Sequence, residues 1–153
     1  MGMPDVNRGD NEAFDDLKAE FLEEFNEHTV TELEMFSDAL EMRGHAALPD
    51  PEHGWEGLDL TLYRLIALLD EAGEEEELMQ YSSARYLGEV VRHRFGGEWS
   101  CVELNENGVP EPMLVGHEME SKVPFNPFAA LACLRVSKEG SDIRSFIEQR
   151  LKR

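Results

Sequence analysis

Residues 74–104 read EEEELMQYSSARYLGEVVRHRFGGEWSCVEL, and the change of period inside this stretch decides the fold. Leu78, Met79, Tyr81, Tyr86, Leu87, Val90, Val91 and Phe95 recur at helical spacing and cover more than one side, which predicts a central, most buried helix ending near Phe95. Glu74 to Glu77 open it, because acids in a first turn meet the positive end of the helix dipole, worth about 0.3–1 kcal/mol each. Gly88 in its middle costs about 1 kcal/mol relative to Ala, so another backbone is expected to approach there. Gly96-Gly97 breaks the helix. Beyond it Trp99, Cys101 and Glu103 alternate with Ser100, Val102 and Leu104, the period of a strand. Asn107-Gly108 supplies turn chemistry, and Met113–Val115 is the expected returning strand. Pro110 and Pro112 lack amide donors, which places them at a strand start or an edge.

Working outward, residues 1–10 are polar with Gly and Pro and are expected to form a disordered N-terminus. From Asn11, Phe14, Leu17, Phe21, Phe25, His28, Leu33, Phe36 and Leu40 keep the 3.6-residue period until Gly44, with His28 expected at the core or its boundary. Thr29-Val30-Thr31 weakens a helix, and Thr29-x-x-Glu32 also reads as a capping box, so one long helix or two in series both fit. Five Gly and Pro residues between 44 and 57 make a loop. Asp59 is the expected cap of a second helix through Leu62, Leu65, Ile66, Leu68 and Leu69, which Gly73 ends. After the hairpin, a third short strand is expected near residues 121–125. Asn126-Pro127 then starts a helix to about Val136, and Ser141 is the expected cap of a last one through Leu151. Helices, a small antiparallel sheet of two to three strands, then helices again make an α+β fold, a single domain over residues 11–153.

The chain has 153 residues with 33 acids and 14 bases, a net charge of −19. Residues 1–50 hold 14 acids and 3 bases, residues 51–100 hold 11 and 4, and residues 101–153 hold 8 and 7. Such a surface repels the phosphates of nucleic acids and of anionic membranes. It attracts a basic protein, or it serves solubility alone. No apolar run approaches the roughly 18 residues that span a bilayer, and Met1–Asp10 lacks a signal-peptide pattern, so a cytoplasmic protein is expected. Cys101 and Cys133 are too few and too far apart for a disulfide framework or a zinc pattern, and both look like small buried hydrophobes.

No catalytic motif stands out. The five histidines form no metal signature, although His45 and His53 share a loop with Asp50 and Glu52; neither a metal nor a cofactor is expected. The densest polar group is Arg85, Tyr86, Glu89, Arg92, His93 and Arg94. Arg85, Glu89 and His93 are four apart and share a helix face, so Glu89 is a candidate general base or the group an anion site, against the simpler reading of a salt-bridged surface.

Tyr86-Leu87-Gly88-Glu89, then Gly96-Gly97-x-Trp99, Asn107-Gly108 and Asn126-Pro127-Phe128, resemble a loose group of small bacterial proteins, a domain of unknown function, over residues 78–140. The resemblance implies a bacterial origin and an α+β fold, and it transfers no catalytic residue. Two functions follow from the residues. In the first, a non-enzymatic interaction protein presents Glu20, Glu23, Glu24, Glu27 and Glu74, Glu75, Glu76, Glu77 to a basic protein, as immunity or inhibitor proteins do. In the second, a small-ligand binder or enzyme uses Arg85, Glu89, Arg92 and Trp99.

Overall fold

The apolar periods and glycine breaks assemble as α1 (Met3–Met42), α2 (Leu58–Glu71), α3 (Glu76–Phe95), β1 (Glu98–Leu104), β2 (Pro110–Val115), α4 (Pro127–Ser137) and α5 (Ile143–Leu151). This is the α+β order, helices at both ends of an antiparallel sheet. The structure is a computed structural model that describes residues 3–104, 110–116, 124–137 and 142–151.

Helix α1 is continuous and begins at Met3, inside the segment expected to be a disordered tail. Pro4 falls in its first turn, where a missing amide hydrogen leaves no helical bond unmade. Thr29-Val30-Thr31 does not divide the helix, because Thr29 is buried and its hydroxyl donates to the Phe25 carbonyl one turn back. Phe25, Thr29, Leu33, Phe36 and Leu40 form the buried stripe. His28 is exposed instead of lining the core, since it lies roughly a quarter turn off that stripe.

Helix α2 buries Leu58, Leu62, Leu65 and Leu69. Its N-cap is Gly57 and not Asp59, whose Oδ1 accepts from the backbone amide of Arg144 at 2.9 Å and so caps α5 from outside. A 3₁₀ turn at Gly73–Glu75 leads into α3, where every residue from Ser83 to Val91 is buried. It packs against α1, α2, α4, β2 and a 3₁₀ turn at Pro51–His53. That last contact is close: a Cβ on Gly54 would stand 2.8 Å from the Tyr86 hydroxyl. The neighbour of Gly88 is the Trp99 indole and not a backbone. Gly96 (φ +81) and Gly97 (φ +104) turn the chain back on the helix, so a Cβ on Gly88 would stand 2.1 Å from Trp99 Cη2.

In the sheet Trp99 pairs with Leu114, Ser100 with Met113 and Cys101 with Pro112, and a bulge separates Cys101 from the Leu104–Pro110 pair. Leu114 exchanges both backbone hydrogen bonds with Phe125 (2.8 and 2.9 Å), which is all that the described residues retain of the third strand. Residues 121–123 and Asn107-Gly108 lie outside them. The Leu114 amide points away from β1, so that of Pro112, two residues earlier, would too; the proline removes no bond from the ladder. Asn126 caps α4 by accepting from the amides of Phe128 (2.9 Å) and Ala129 (3.1 Å). Asp142 caps α5 by accepting from the amide and hydroxyl of Ser145, and Ser141, the expected cap, lies outside the described residues. Cys101 is buried, and Cys133, expected in an apolar setting, is exposed and accepts from Arg150. No described helix is long and apolar enough to cross a membrane.

Candidate functional site

The polar group on α3 divides when it folds. Arg85 is 6 % exposed and turns toward α1, where it donates to the Phe25 carbonyl at 2.8 Å and lies 4.0 Å from the centre of that ring. Burial pulls its guanidinium below the usual value, while Tyr81, Glu32 and Glu89 oppose the shift. Its Nε has no hydrogen-bond partner among the described residues. Arg85 therefore cross-links two helices and does not stand beside the Glu89 carboxylate as the i,i+4 spacing suggested.

Glu89 is 5 % exposed and pairs instead with Arg92, three residues on. Its Oε2 accepts from Arg92 Nε at 2.6 Å and from the Trp99 indole at 3.0 Å. Its Oε1 accepts from Arg92 Nη2 at 3.3 Å. The pairing raises the Arg92 pKa further. The carboxylate thus ties the end of α3 to the start of β1: Gly88 makes room for the indole, and Glu89 holds its N–H. His93 is exposed and contacts Arg92 Nη2 at 3.4 Å.

This lock forms one wall of an open cleft of about 510 Å³, lined also by Asn26, Thr29 and Val30 of α1 and by Gly97 and Glu98. Glu89 borders a second cleft of about 330 Å³ with His93, Tyr86 and Asp50. Asn26 and Thr29 carry no sequence signal for this site. They reach it because α1 crosses α3 in the opposite direction, a contact between residues some sixty positions apart. Chemically the cleft presents an ion pair whose carboxylate already accepts from two donor groups, with only the longer Oε1 contact open to competition. Among the described residues no group of three His, Cys, Asp or Glu side chains is placed to hold a metal ion.

The acidic residues separate into two zones. Glu20, Glu23, Glu24 and Glu27 are all exposed on α1, and none forms an ion pair with another described residue. Glu74 and Glu77 are exposed too, but Glu75 pairs with Arg43 and Glu76 with Arg135 at 2.6 Å. Arg135 of α4 also reaches Asp70 and Gln80, which makes it the clasp between α4, α2 and α3. Sixteen positions, about 24 Å at 1.5 Å per residue, separate Glu27 from Arg43, which follows the last residue of α1 and is the partner of Glu75. The two zones are therefore distinct surfaces. The chain matches no family model, no curated protein and no solved structure.

Proposed function

We propose that this protein is a non-enzymatic interaction module whose acidic helix α1 binds a basic protein, in the manner of small immunity or inhibitor proteins that cover a cationic partner. The observation that carries the reading is the state of the carboxylates. Helix α1 holds 13 acids and 2 bases, and its Glu20, Glu23, Glu24 and Glu27 form no ion pair among the described residues, whereas Glu75 and Glu76 do. Four like charges within two helical turns repel one another, a cost that a cationic partner removes. The test is a pull-down from a lysate of the source cells with the parent and with the Glu20→Gln, Glu23→Gln, Glu24→Gln, Glu27→Gln variant. A basic protein retained by the parent at low salt, lost from the variant and lost above about 0.3 M salt supports the reading, because screening shortens to a few ångströms there. Equal recovery by both proteins overturns it.

A second reading, a small-ligand binder, draws on the cleft of about 510 Å³ beside Glu89, Arg92 and Trp99. The satisfied carboxylate weighs against it. A ligand bound there raises Tm with its concentration; a screen of small organic acids and amines that leaves Tm unmoved removes this reading.

A further inference from the structure

An apolar groove runs along the seam between α1 and α3. It encloses about 270 Å³, with Met35, Ala39, Leu78 and Met79 among its walls, Glu32 beside them, and the Arg43–Glu75 ion pair at one end. Met35 is 60 % and Leu78 71 % exposed, so two large apolar side chains border the same opening with no described residue over them. Exposed apolar surface gathered in a groove marks a contact site more often than scattered surface residues do. Methionine suits such a site, because an unbranched thioether reshapes itself to what it meets.

The charge around the groove selects the occupant. Glu32 lies one turn before Met35, and Glu24, eleven residues before it, returns to the same face after three turns. Among the described residues the acid lining the other wall is Glu75, already paired with Arg43. A second copy of this chain would set acid against acid, and an anionic membrane would meet the same repulsion. We infer that the groove docks a cationic amphipathic helix of a protein partner, its apolar stripe between Met35 and Leu78 and its Lys and Arg residues over Glu24 and Glu32. The inference rests on the reading of a basic partner and adds to it where that partner lies and that it is helical.

A Leu/Lys peptide of about 18 residues, five helical turns with leucines on one face, serves as the probe, beside a scrambled peptide of the same composition. Three proteins are titrated by fluorescence anisotropy: the parent, a Met35→Gln, Leu78→Gln variant, and the variant with Gln at Glu20, Glu23, Glu24 and Glu27. Gln keeps the length of the side chain and adds no charge. The expected result is binding of the amphipathic peptide at least tenfold tighter than of the scrambled one, a tenfold loss in the groove variant, and shifts confined to Met35 and Met79 among the assigned methionine methyl resonances of the parent. If both peptides bind the parent and the groove variant alike, the groove is not the site while the acidic reading stands. If the amphipathic peptide binds the glutamine variant of α1 as tightly as the parent but fails on the groove variant, the acidic face is wrong and the groove stands. Failure of both peptides to bind the parent ends both.

Discussion

Gly88 shows how a single missing Cβ can set the relation of a helix to a sheet. An alanine there would gain about 1 kcal/mol of helix propensity, yet its methyl would stand 2.1 Å from the Trp99 ring. Overpacking wins: Gly88→Ala is expected to lose about 1–3 kcal/mol net in urea denaturation, and Gly88→Leu more. Stabilisation by alanine would mean the indole lies elsewhere. Glu89→Ala strands the Trp99 N–H and unpairs Arg92, so a loss of about 2–4 kcal/mol is expected, with Glu89→Gln costing less because an acceptor for the indole remains. Tyr86 provides a pH test. Its hydroxyl donates to the Pro49 carbonyl at 2.9 Å, the side chain is 1 % exposed, and burial, with the charge of Asp50 adding to it, pushes its phenol up to about 12. The unfolded chain ionises nearer 10. The stabilisation is therefore full below pH 10 and drains away as pH rises toward 12, by about 2–3 kcal/mol over those two units. Unfolding of the parent and of Tyr86→Phe at pH 9 and pH 11.5 should show the gap between them narrowing or reversing; a constant gap would mean the phenol is not so placed.

At the scale of elements, α1 is uneven. Among the described side chains its buried residues run from Phe25 to Leu40, and Phe21 and Leu22 pack against the core ahead of them. A helix needs tertiary packing to persist in water. Amide hydrogen exchange should accordingly be slow from 25 to 40 and faster from 15 to 20, where all but Lys18 are exposed, and uniform protection would overturn this division. Asp59→Ala should cost about 0.5–2 kcal/mol, the price of a lost cap, and speed exchange in α5 although the substitution is in α2. Such a cross-element cap explains what the sequence could and could not disclose. Helix α3, its glycine stop, the alternation of Trp99 and Cys101 and the Asn126 cap were legible, because each is a local pattern. Asp59 looked like the cap of its own helix because its partner, Arg144, is 85 residues away. Likewise i,i+4 spacing joined Arg85 to Glu89 on paper, but the packing of α1 gave Arg85 the Phe25 carbonyl, and the returning strand gave Glu89 the indole. The candidate site was half legible: Glu89, Arg92 and Trp99 meet, Arg85 departs, and Asn26 and Thr29 arrive from a helix no local pattern connects to them.

The whole molecule carries 33 acids against 14 bases, and self-repulsion opposes the compact state. Salt should therefore stabilise it: Tm should rise as NaCl increases from about 0.02 to 0.3 M, since the screening length passes about 10 Å near 0.1 M. Exposed pairs such as Arg43–Glu75 pull the other way but contribute little. A falling Tm would mean that attractive pairs dominate. Both tryptophans are buried along the central helix, Trp55 edge-on to Phe95 at 5.0 Å and Trp99 against Gly88 and Phe25. The indole that wedges helix to sheet is thereby also a native optical reporter, whose emission colour tracks its surroundings. With Trp55 replaced by Phe, ultraviolet-excited emission from Trp99 alone would report when the hairpin peels from the helix; with Trp99 replaced instead, Trp55 would time the release of the loop around the 3₁₀ turn. Coincident traces would mark one cooperative unit, and staggered ones an order of disassembly.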